Sequence, residues 1–179
     1  MRHGLVSIER MSPAGARTRR GIRRPALLAA VWAVAFAVAH VYWALGGRVL
    51  LAMSFRGAAN AAAVLASPPL RFAALWGVGV LCLAGAGIAV LLGRPEPPPG
   101  RGTLRRVLRV LAWAAAVALL LRGGLVAAQD ALIAAGVLSP QVAGGAGELA
   151  DVAHWSLGLF CPWFLTGGVL FALTARRPR

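Results

Sequence analysis

Residues 26–45 read ALLAAVWAVAFAVAHVYWAL, a run without Asp, Glu, Lys or Arg that opens after Pro25 and closes at Gly46-Gly47. A helix crossing the hydrocarbon layer needs about 20 predominantly apolar residues. Working outward, three more runs meet that length. Residues 72–92 lie between Arg71 and Arg94, and residues 110–129 are interrupted by Arg122-Gly123-Gly124. Residues 155–175 end at Arg176-Arg177. No water reaches backbone groups inside a bilayer, so these runs must be helices. The period-two alternation of a transmembrane barrel is absent. The expected fold is therefore all-α, a polytopic membrane protein with four transmembrane helices in a bundle. Residues 49–66 are the one rival span. Arg56 and Asn60 sit near their middle, and a fifth span would move the Arg-rich tail across the membrane. They read as an outer connection with an interfacial helix.

Composition agrees. Of 179 residues, 59% are hydrophobic and 13% charged, against about 25% charged in soluble domains. A soluble enzyme and a disordered chain are both disfavoured. All 19 basic residues are arginines, and five acids leave a net charge of +14. Seven arginines precede Ala26, five lie in 94–109 and three close the chain. Arg48, Arg56, Arg71 and Arg122 fall on or near the other side. The positive-inside rule then places both termini and the Pro-rich connection 94–100 in the cytoplasm, N-in and C-in.

The expected domains are a disordered Arg-rich cytoplasmic head over 1–25, a membrane domain over 26–175 and a tail over 176–179. In a soluble protein such charge would suggest nucleic acid. Beside apolar runs, it points instead to anionic lipid headgroups on the cytoplasmic side. Nucleic acid is not expected as a partner; a second copy or a membrane partner protein is compatible. Arg without Lys, amid Ala, Gly and Pro, has the look of a GC-rich bacterial genome, which places the chain in a bacterial plasma membrane. Ala37-Val38-Ala39 has the form of a signal cleavage site, but the apolar run continues to spanning length, so it reads as a retained span.

Ionisable groups at membrane depth are costly and usually face the bundle. His40 lies about six residues, or ~9 Å, below the outer end of the first span. Trp32, Phe36, His40, Trp43 and Gly47 share one helical face. Trp43, Trp76 and Trp155 fit an outer aromatic belt, and Trp32 and Trp113 an inner one. Arg122 falls in the outer half of the third span, where it either snorkels or meets Asp151 or His40. Asp151, His154, Gly158 and Cys161 share a face of the fourth segment. Pro162 should kink that helix and free a carbonyl near Gly158. Ala73 and Gly77, Gly85 and Ala89, and Gly168 and Ala172 form small-x-x-x-small pairs suited to close helix packing. Cys82 and Cys161 form no metal or redox spacing, and His40 and His154 differ in depth, which argues against bis-histidine haem. No cofactor or metal is expected, and no nucleophile triad, phosphate loop or metalloprotease motif occurs.

Three blocks resemble a family. His40-Val41-Tyr42-Trp43-Ala44-Leu45-Gly46-Gly47 is similar to the signature near the end of the first helix in a bacterial domain-of-unknown-function family of small four-span membrane proteins. Leu121-Arg122-Gly123-Gly124 and Pro162-Trp163-Phe164-Leu165-Thr166-Gly167-Gly168 resemble the same family, which covers residues 26–175. The long Arg-rich head departs from its pattern. The resemblance implies a fold and no activity, and it implies that His40, Tyr42, Trp43 and Arg122 form a purposeful cluster.

The candidate polar cluster is thus His40, Tyr42, Trp43, Arg122, Asp151 and His154. The favoured reading is a non-enzymatic bundle that binds a small molecule, a lipid or a partner protein at an outer polar cavity. The alternative is a membrane-embedded enzyme acting on a lipid or quinone, with His40 as acid/base and Arg122 holding an anionic headgroup.

Overall fold

The computed structural model describes residues 14–94, 102–138 and 148–176. Among these the chain is helical throughout, with no strand. Helix α1 runs Ala14–Ala44 and begins within the stretch read above as a disordered head; residues 1–13 of that head lie outside the described residues. Two short helices follow, α2 (Leu51–Ser54) and α3 (Ala58–Ala66). Helix α4 (Pro68–Gly93) and helix α5 (Gly102–Ala134) each continue long enough to cross a membrane. Helix α6 starts as Glu148–Trp155, passes through a π-helical turn at Ser156–Phe160, and continues as Cys161–Ala175. Four helices are long and apolar enough to span: Arg24–Ala44, α4, α5 and Asp151–Ala175. The protein is an all-α membrane protein of four such helices. The connection around Pro95 to Gly100 lies outside the described residues.

Helices α1 and α4 form one tightly packed pair, α5 and α6 the other, and α1 against α6 joins them. Small residues allow the close approach. Ala26, Ala29, Ala30, Ala33 and Ala37 are buried along one face of α1, spaced as a helical stripe must be. A Cβ on Gly93 would stand 2.7 Å from the Ala26 methyl, and one on Gly168 2.6 Å from Leu120. Hydrocarbon gives little reward for helix association, so such van der Waals packing carries it. Gly85 approaches the Phe171 ring and Ala89 is fully buried, as the small-residue spacing suggests. Gly77, by contrast, meets only its own helix.

A second, smaller core closes the other end of the bundle: Trp43, Leu51, Ala61 and Leu75. It forms because 51–66 folds back as α2 and α3 over the helix ends instead of spanning. Two tryptophans assigned above to aromatic belts are corrected here. Trp43 and Trp32 are buried, and each indole donates inward, to Val49 O at 2.8 Å and to Trp163 O at 3.0 Å. Trp76, Trp113 and Trp155 remain exposed on the helix exteriors.

Pro162 acts before its own position. Lacking an N–H, it cannot donate to the Gly158 carbonyl, and the chain answers with the π turn Ser156–Phe160. A second π turn, Phe72–Gly77, opens α4. π turns widen a helix and disturb its side-chain register. Both turns stand at the level of the cavity described next.

Candidate functional site

The ring ladder of α1 leads into the site. Phe36 packs edge-on against His40 with centroids 4.5 Å apart, and His40 against Trp43 at 5.0 Å. His40 is buried, and its Nδ1 lies 2.9 Å from Phe36 O one turn earlier. A carbonyl only accepts, so Nδ1 carries the proton and Nε2 is left with its lone pair. The imidazole is thus anchored to its own helix, not to a neighbour.

Arg122 reaches the same place from α5. Its guanidinium carbon lies 5.9 Å from the Phe164 ring centroid, a cation–π contact. Phe164 packs edge-on against Phe36 at 5.5 Å. Arg122 and His40 are therefore linked through two aromatic rings and not by a polar bond. Gly123 makes this possible, since a Cβ there would press on Phe164 and Leu165 at 3.1 Å. Gly124 points away from every neighbour.

A cavity of about 280 Å³ lies between these groups. His40, Trp43, Arg56, Arg122, Ser54 and Ser156 are among its lining residues, and Phe36, Phe55, Phe160 and Phe164 form much of its apolar wall. Ala74 comes from the first π turn, and Ser156 and Phe160 from the second. Ser156 Oγ and Cys161 Sγ share a hydrogen bond of 3.6 Å. Cys82 and Cys161 are free thiols.

Arg56 is the residue that sequence reading missed. It follows α2, and its backbone occupies the left-handed region with φ 59°. The bonds Gly57 N to Ala52 O and Arg56 N to Met53 O are those of a Schellman ending, which normally places glycine at this point. Asn60 Nδ2 donates to the Arg56 carbonyl at 3.2 Å. The guanidinium turns inward, and its Nη2 stands 2.8 Å from Oδ1 of Asp130, which is wholly buried. The contact is an ion pair and not a hydrogen bond. Both carboxylate oxygens, both terminal nitrogens of Arg56 and the buried Ser54 Oγ have no hydrogen-bond partner among the described residues. Asp130 lies just beyond the run 110–129 read above as the third span, yet it belongs to α5, which continues to Ala134. The sequence signal was present: an arginine and an aspartate, each within a mostly apolar stretch, seldom persist there unpaired.

The other predicted residues divide. Tyr42 is exposed and covers Gly47, leaving no room for a Cβ there. With Gly46 at φ 101° and the bonds Gly47 N to Tyr42 O and Gly46 N to Trp43 O, it completes the Schellman ending of α1. That accounts for Tyr42, Gly46 and Gly47 in the first family block. Asp151 and His154 are exposed and line a separate pocket with Ala52, Met53, Val152 and Trp155. Met53 borders both spaces. Arg122 is paired with neither Asp151 nor His40. No group of three or more His, Cys, Asp or Glu suited to a metal gathers among the described residues.

No curated protein and no solved structure matches the chain. Residues 33–171, well over half of it, match the family described as "Protein of unknown function (DUF3995)". The matched stretch holds the whole lining of the cavity, from Phe36 to Phe164. By that match, the chain belongs to this domain-of-unknown-function family.

Proposed function

We propose that this membrane protein binds a small, largely apolar molecule in the cavity between α1, α4, α5, α6 and the folded-back α2. The observation that carries the reading is the convergence of His40, Arg56 and Arg122 on one aromatic-walled space of about 280 Å³. Small-molecule sites are mostly apolar clefts of roughly 300–1,000 Å³ with a few placed polar groups. A bundle that needed only to pack would have little reason to retain two arginines and a histidine there. With both termini cytoplasmic, the cavity lies in the outer half of a bacterial plasma membrane, and the arginines at 94–109 face anionic headgroups on the inner side.

The test is cavity filling. Ala74 lines the space without supplying a polar group. Ala74→Phe should abolish the thermal stabilisation that small amphiphiles give to the purified protein, while the variant still folds. Stabilisation that survives the filled cavity would place the binding elsewhere.

The enzymatic alternative has one observation in its favour. With Nδ1–H given to Phe36 O, His40 can offer Nε2 to the cavity as a base. It predicts chemical conversion of a bound lipid or quinone, lost in His40→Gln. Binding with no conversion supports the first reading.

A further inference from the structure

Building on that reading of the cavity, we infer that its ligand is a monoanion: one carboxylate or phosphodiester group on an apolar body, with the charge held by Arg56 and Arg122. Charge balance carries the inference. Two arginines line the cavity and no carboxylate does. Asp130 stands against Arg56 and compensates one of the two. Arg122 is an exposed residue of α5 at the edge of the space, with the face of Phe164 and no acidic partner among the described residues. A guanidinium does not deprotonate in proteins, so the mouth of the space carries a positive charge that no carboxylate of the described residues balances. A dianion would overshoot it, and a neutral ligand would leave it.

Hydrogen-bonding capacity points the same way. Nη1 and Nη2 of Arg56 and the Ser54 hydroxyl are buried without a hydrogen-bond partner among the described residues. These are donors, and an ionised carboxylate or phosphodiester is acceptor-only at its charged oxygens. Arg56 touches Asp130 through one nitrogen, so Nη1 can serve the ligand without leaving the aspartate bare. Its backbone is held in the left-handed region, a cost that persists where surrounding structure fixes a residue for use. The rings of Phe36, Phe55, Phe160 and Phe164 suit an apolar or aromatic body. Such a monoanion could be a free amphiphilic acid or the phosphodiester of a lipid.

The experiment uses the full chain in uncharged detergent and in phosphatidylcholine nanodiscs. 4-Phenylbutyrate and 4-phenylbutanol share a body and differ in charge. Thermal midpoints against ligand concentration give an apparent Kd for each. The acid should bind about tenfold or more tightly than the alcohol, the scale of one charge-assisted hydrogen bond. That preference should vanish in Arg122→Gln and persist in Arg122→Lys. In the lipid arm, phosphatidylglycerol is added to the nanodiscs. A midpoint that rises with phosphatidylglycerol, and no longer rises in Arg122→Gln, assigns the phosphodiester. Acid binding with no response to that lipid assigns the free acid. Equal affinity for acid and alcohol overturns the anion and leaves the cavity reading standing. Should Arg122→Gln not fold, the acid-to-alcohol ratio of the unmodified chain decides alone. Binding of neither probe, or binding untouched by Ala74→Phe, overturns the cavity reading itself.

Discussion

Arg56 stands where two other helix endings of this protein place glycine, Gly46 after α1 and Gly136 after α5. For a residue with a Cβ the left-handed region costs about 1–2 kcal/mol. What offsets that cost is Asp130, whose wholly buried carboxylate has Arg56 as its ion-pair partner. Arg56→Gly should therefore destabilise the protein, since stripping one partner from a buried pair costs about 3–5 kcal/mol. In an Asp130→Asn background the same change should become neutral or stabilising, by up to about 1 kcal/mol. Chemical or thermal unfolding of the four variants checks this, and equal effects in both backgrounds would mean that Arg56 and Asp130 are independent. Two glycines offer a second contrast. A Cβ at Gly167 would run into the indole of Trp32, which is buried and hydrogen-bonded to Trp163 O. Gly167→Ala should cost about 1–3 kcal/mol, as overpacking does. Gly47→Ala meets the ring of Tyr42, but that ring is exposed and free to swing. Its cost should be clearly smaller in the same unfolding measurement.

Among the elements, the two π turns shape the cavity. They deliver Ala74, Ser156 and Phe160 to its wall. A π turn holds one residue more than the α-helical turn it replaces. Gly158 lies within the second turn and has no atom near its would-be Cβ. Deleting Gly158 together with Pro162→Ala, which removes the cause of the turn, should let α6 run as an unbroken α-helix, leaving stability unchanged or raised. It should also withdraw Ser156 and Phe160 from the cavity, so that binding of 4-phenylbutyrate falls by about tenfold or more. Lost stability with intact binding would show the turn to be a packing device only. Sequence reading anticipated a disturbance here from Pro162, because a missing N–H is a local fact. It had no comparable signal for Phe72–Gly77, since Pro68 and Pro69 sit at a helix start, where proline is ordinary.

For the whole molecule, arginine placement predicts topology. Reporter fusions after Arg101 and after Arg179 should read cytoplasmic, and fusions near Gly57 and Gly144 external. A tail that reads external would refute the N-in, C-in arrangement. A peptide of residues 1–25, with seven arginines, should bind anionic vesicles by about 1 kcal/mol per arginine near the surface and release them in high salt. Equal binding to neutral vesicles would remove headgroups as its partner. The number of spanning helices and the family could be read from the sequence, whereas α5 runs from Gly102 to Ala134, beyond both ends of the 110–129 run. The number and the family depend on hydropathy and local spacing, which are properties of consecutive residues. Tertiary structure alone decided that Trp32 and Trp43 turn inward and that Tyr42 closes over Gly47. It also brought Arg56 of the α2–α3 segment to Asp130 of α5, far apart in the chain, and joined His40 to Arg122 through Phe36 and Phe164. Such pairings depend on how helices rotate against one another, and hydropathy constrains that rotation weakly where every face is apolar. Small residues and buried polar contacts set it instead.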